Sequence, residues 1–129
     1  MILIILHHVL KNFPEGLNLF PAQAVLLLFQ ALDDIIEELK RRLEGRVKEA
    51  YLFGSIARSE KSNDSDIDII IVNETVKPFV ERALDFSDLY DIGCEMDILV
   101  YTPGEFRNLT EDPSPGFWKS VTEEMLRIV

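Results

Sequence analysis

Leu52–Val72 reads LFGSIARSEKSNDSDIDIIIV, and the order of turns and apolar runs within it decides the fold. Val47 to Phe53 alternates loosely, as a strand does, and Gly54-Ser55 then turns the chain into a short helix that fades by Ser59. Glu60 to Ser65 is a polar loop, and Asp66 to Val72 is a buried strand. A strand-to-helix turn is a natural phosphate site, because the first helical amides and the positive end of the dipole attract anions. Gly54 and Ser55 can offer bare backbone amides and a hydroxyl to phosphate oxygens there. Asp66 and Asp68 stand two positions apart on a strand, so they point to one face and can hold Mg²⁺ together. Nothing about building a core calls for two Asp at the head of an otherwise apolar strand. Close carboxylates repel unless a cation sits between them, so a metal is the economical explanation.

Working outward, Glu95-Met96-Asp97-Ile98-Leu99-Val100 places a third carboxylate, Asp97, at the head of another strand that runs to Tyr101. Upstream, Pro21 can open a helix in which Val25, Leu28, Leu32, Ile35, Ile36, Leu39 and Leu43 recur at helical spacing. Lys40, Arg41 and Arg42 oppose its dipole in the last turns, and Gly45 is a natural stop. The basic triplet therefore reads as a helix end and not as a nucleic-acid patch. Leu26, Leu27 and Phe29 widen the apolar stripe, which hints at a second packing surface. Pro78 to Tyr90 suits a further helix, with Phe79, Val80, Ala83, Leu84 and Phe86 mostly inward. Thr102-Pro103-Gly104-Glu105 is a helix start, with Thr102 as N-cap and Glu105 closing a capping box. The Pro-rich EDPSPG precedes a final helix from Phe117 and a short edge strand near Met125 to Val129.

With 129 residues, 47% hydrophobic and 28% charged, the chain suits one soluble domain with a real core. Residues 1–20 fit no strong period and read as an N-terminal arm, leaving 21–129 as the domain. The net charge of −10 disfavours unaided binding of a nucleic-acid backbone and suits a basic protein partner. Neither apolar block near the N-terminus is long enough to span a bilayer. Cys94 is the single cysteine, so no intramolecular disulfide can form and a reducing cytoplasm is the expected setting. His7 and His8 are adjacent and read as incidental, not as metal ligands.

The segment GSIARSEKSNDSDID resembles the Gly-Ser-x10-Asp-x-Asp signature of the polymerase-β-type nucleotidyltransferase superfamily, and it is most similar to the minimal nucleotidyltransferase domains of prokaryotes. DILVYTPGEF, with Asp97, resembles the third-carboxylate strand and following helix of that group. The resemblance implies an α/β (α+β) nucleotidyltransferase fold with a mixed β-sheet and flanking helices. It also implies that Gly54 and Ser55 bind the β/γ-phosphates of ATP and that Asp66, Asp68 and Asp97 hold two Mg²⁺ ions. Asp97 would also help to deprotonate the acceptor hydroxyl, and Arg58 matches the Ala-Arg that follows Gly-Ser in the family. Ser59 departs from the Gly that many relatives carry there. Minimal members are often paired with a helical toxin ribonuclease of the HEPN type, which they neutralise by placing AMP on a tyrosine. The resemblance thus implies a cytoplasmic antitoxin with a HEPN-type partner, and self-association is compatible with it. The competing reading is a non-catalytic module that binds nucleotide or metal and masks a partner.

Overall fold

The computed structural model describes residues 21–54, 67–93 and 95–129. The expectations for the arm 1–20, for Ser55 to Asp66 and for Cys94 lie outside these residues. The first helix, α1, spans Pro21–Leu43 as the periodicity predicts, and Gly45 ends it with φ 77°. Only its second half meets the core among the described side chains: Leu39 and Leu43 are buried, and Ile35 and Ile36 pack beside them. Leu26 (70% exposed) and Leu27 (40%), two of the three residues expected to widen the apolar stripe, stand out to solvent, and the side chain of Phe29 lies outside the described ones.

Strands β1 (Glu49–Gly54), β2 (Ile67–Val72), β3 (Met96–Tyr101) and β4 (Leu126–Arg127) form one sheet in the order β3-β2-β1-β4. β1 pairs antiparallel with β2 and with β4, whereas β2 pairs parallel with β3. The sheet is mixed, as the family resemblance implied. β2 is central and apolar on both faces. Ile69 and Ile71 join α1 on one side, while Ile70 and Val72 join a mainly aromatic cluster on the other. Period-2 alternation makes this division automatic. β3 has buried Met96, Ile98 and Val100 on the α1 side and half-buried Asp97, Leu99 and Tyr101 on the other.

The crossover from β2 to β3 departs from expectation. It is not a single α-helix over Pro78–Tyr90 but a short α2 (Phe79–Arg82) followed by a 3₁₀ segment, Ala83–Ile92, broken at Phe86. The reason lies in the spacing. Ala83, Phe86, Leu89 and Ile92 recur every third residue, and all four pack into the α1-side core; three residues per turn is the 3₁₀ period. Val80 (84% exposed) and Leu84 (72%) consequently face solvent instead of turning inward. Arginines at the end of α1 tie the segment down. Arg42 Nη1 donates to the Asp88 carbonyl and to Asp91, each at 2.6 Å, and Arg46 donates to the Asp85 carbonyl at 2.6 Å and to Asp88. This accounts for the basic triplet as a helix-end feature, with Arg41 held on Glu38.

On the opposite face lie α3 (Pro103–Thr110) and α4 (Phe117–Glu124). The predicted capping box is formed: Thr102 Oγ1 accepts from the Glu105 amide and Glu105 Oε1 accepts from the Thr102 amide. Gly116 opens α4 with φ 104° and ψ −131°, a region open essentially to glycine alone. Beyond its own chain neighbours, no atom of the described residues lies within 4 Å of where a Cβ at Gly116 would stand, so the constraint there is backbone conformation and not crowding. Gly116→Ala is expected to cost about 1–3 kcal/mol, read as a lower urea midpoint with an unchanged slope. An unchanged midpoint would show that the turn has an alternative conformation.

Candidate active site

The register brings Asp68 and Asp97 together. They are direct partners on the parallel strands β2 and β3, so their side chains leave the same face, on strands spaced about 4.8 Å apart. On β1 the partner of Asp68 is Phe53. One row across the sheet therefore reads Asp97, Asp68, Phe53; the next reads Leu99, Ile70, Tyr51. Two carboxylates stand at the end of an apolar floor. Asp68 is fully buried, and Asp97 is half-buried at the margin.

Burial of a carboxylate beside a second one is unfavourable by itself. Like charges at one register position repel, and a divalent cation between them relieves the repulsion. The donor set consists of hard carboxylate oxygens, which suit Mg²⁺. These two residues thus fit the metal that the sequence implied. No group of three His, Cys, Asp or Glu side chains gathers among the described residues; Asp66, Ser55 and Arg58 lie outside them. Gly54 is the last residue of β1, opposite Ile67 and adjacent to the row that holds both Asp. An open concavity of about 670 Å³ runs along Asp34, Glu37, Glu38, Lys40, Arg41 and Glu44 of α1. It includes neither Asp68 nor Asp97, and its charges pair among themselves at Arg41–Glu38.

The aromatic side of the site was not legible in the sequence. Phe117, at the start of α4, meets Phe53 edge-on with ring centroids 5.7 Å apart. Trp118 then meets Phe117 at 5.4 Å and Tyr101 at 5.2 Å, so α4 lies across the sheet from β1 to β3. Phe106 stacks on Tyr51 at 5.2 Å and closes the floor. Phe117 is 49 residues beyond Asp68 in the numbering, and no local pattern links them. Only the register does.

Residues 33–125 match the sequence model of the family described as "Polymerase beta, Nucleotidyltransferase". The chain belongs to that family. It carries a nucleotidyltransferase domain in an α+β fold built on a mixed sheet of four described strands. Two proteins of Methanocaldococcus jannaschii, each named "Putative protein adenylyltransferase", are similar to it. One is 42% identical over 72 residues, covering 56% of this chain and 62% of its own length. The other is 36% identical over 72 residues, covering 51% of this chain and 77% of its own length. The match thus spans less than two thirds of the first of these relatives. A solved structure described as a "putative nucleotidyltransferase from Sulfolobus solfataricus" overlaps 88% of this chain and 90% of its own, at 22% identity and a TM-score of 0.41. No helix among the described residues is long and apolar enough to cross a membrane.

Proposed function

We propose that this nucleotidyltransferase domain moves AMP from ATP to a hydroxyl on a protein, with pyrophosphate leaving. The observation that supports this reading most is the pairing of buried Asp68 with Asp97 at one register position of the parallel strands. In the reaction, an acceptor oxygen bonds to the α-phosphorus and the bond to the bridging oxygen breaks, releasing pyrophosphate. Asp97 accepts the hydroxyl proton, and Asp66 and Asp68 supply carboxylate oxygens at the α-phosphate end. Gly54 and Ser55 bind the β/γ-phosphates, and Arg58 assists at the triphosphate. Bound Mg²⁺, two ions by family resemblance, would supply charge stabilisation for the entering and leaving oxygens.

The names of the two archaeal relatives support a protein acceptor. The net charge of −10 suits a basic one, and a HEPN-type toxin fits that description. The test is incubation of the chain with α-labelled ATP, Mg²⁺ and the product of the neighbouring gene. Label is expected on a partner tyrosine and is expected to vanish with Asp66→Ala. An unlabelled partner, with no pyrophosphate released by the native chain, would refute transfer to it.

A further inference from the structure

The 3₁₀ segment Ala83–Ile92 has three faces, because its side chains repeat every third residue. One face, Ala83, Phe86, Leu89 and Ile92, packs into the core. A second, Asp85, Asp88 and Asp91, is held by Lys77, Arg46 and Arg42. The third is Leu84, Ser87 and Tyr90, all exposed. Val80, exposed on α2 four residues before Leu84, continues it, and Val76 stands fully exposed four residues earlier still. Single apolar residues are ordinary on a surface, but these follow one another along one stripe. The described core takes nothing from it. Resting on the protein-acceptor reading above, we propose that this stripe docks a basic, amphipathic helix of the protein that receives AMP.

Charge selects the occupant. Glu81 is exposed three residues before Leu84, and Glu95 is exposed just after the segment ends at Gly93. Neither enters the ion pairs of this region among the described residues, which take Asp85, Asp88 and Asp91. The stripe is thus framed by negative charge that a helix with Lys or Arg near its ends neutralises. A second copy brings the same acids and a net charge of −10 to the contact, so like charges oppose it. Residues 1–20 hold Lys11 and Glu15 as their only Lys, Arg, Asp or Glu, and these cancel. The segment rises by up to about 20 Å, the length of about 13 residues of α-helix. Tyr90, at its far end, precedes Asp97 by seven residues, so a docked partner sits on the element that feeds the Asp97 strand.

The probe is the neighbouring-gene product, bound to the native chain, to Val80→Ser/Leu84→Ser, to Glu81→Lys and, as the comparison surface, to Leu26→Ser on α1. Calorimetry is expected to show binding weaker by about tenfold or more in the double variant, and a smaller loss with a weaker salt dependence in Glu81→Lys. Leu26→Ser is expected to bind the probe as the native chain does, and all variants to bind Mg²⁺-ATP normally. In transfer, KM for the protein rises in the double variant while kcat and KM for ATP hold, the signature of lost uniform binding. Its thermal midpoint is expected to stay native, because both side chains are exposed. Native-like affinity and KM in the double variant, or an equal loss in Leu26→Ser, overturn the docking stripe and leave the transfer reading standing. A lowered midpoint gives the stripe to another segment of this chain, and a native dimer that the double variant splits gives it to a second copy; either overturns the partner. A native chain that neither binds nor labels the probe overturns the docking and the protein-acceptor reading together.

Discussion

Asp68→Asn is expected to lower nucleotidyl transfer by at least about 10³-fold, on the basis that several kcal/mol of charge stabilisation are lost at about 1.4 kcal/mol per factor of ten. The same variant should unfold no more easily than the native chain in metal-free buffer. The two expectations have one cause. Asp68 is fully buried and shares its register position with Asp97. Two like charges at one register position repel each other, and a neutral amide of the same shape removes that repulsion. Initial rates with α-labelled ATP, set beside thermal unfolding with and without Mg²⁺, decide it. The native chain should gain stability from Mg²⁺ by mass action and the variant should gain less. Transfer within tenfold of native would remove Asp68 from the chemistry. A sharp drop in metal-free stability would make it a structural residue instead.

The places where sequence and structure agree share a short range. The Thr102–Glu105 box, the Gly45 stop and the apolar run of β2 each depend on residues within about one turn or one strand of one another. The sequence carries such features completely. Asp97 was found through its own strand pattern, and its pairing with Asp68 follows once β2 and β3 lie parallel. The 3₁₀ segment shows where local patterns divide. Phe79, Val80, Ala83 and Leu84 obey a helical period, while Ala83, Phe86, Leu89 and Ile92 obey a period of three. Packing under α1, reinforced by Arg42 and Arg46, selects the second. Phe53 and Phe117 lay beyond local reading because their relation to Asp68 exists only across the sheet.

Arg82→Ala is expected to destabilise the fold by about 2–3 kcal/mol, the range for a charged hydrogen bond together with a stranded buried acceptor. At 129 residues that lowers the thermal midpoint by about 10 °C. Arg82 is a buried charge on α2 with three acceptors: the Lys77 carbonyl at 2.9 Å, the Val100 carbonyl at 3.1 Å and Glu105 Oε1 at 2.7 Å. The Val100 contact matters most. Tyr101 gives its carbonyl to the Asn73 amide on the β2 side, so the alternating Val100 carbonyl points to the outer edge of β3. Among the described strands β3 is an edge, and exposed edges invite pairing with other chains. Arg82 blocks that edge by occupying its acceptor. The Glu105 arm is half-exposed and solvent-screened, so it contributes the smaller share. The Arg82 hydrogen bond, then the Thr102 amide, hold the Glu105 carboxyl down at about 2. A lowered carboxyl stabilises the fold above its unfolded value near 4.5 and loses that contribution as pH falls toward about 2. Arg82→Ala should therefore flatten the acid limb between these values as well as lower the plateau, and Glu105→Gln should flatten the limb with a smaller drop. Loss of the edge block adds a concentration-dependent rise in light scattering to Arg82→Ala alone. If both variants aggregate equally, the Val100 carbonyl is not the group that Arg82 protects.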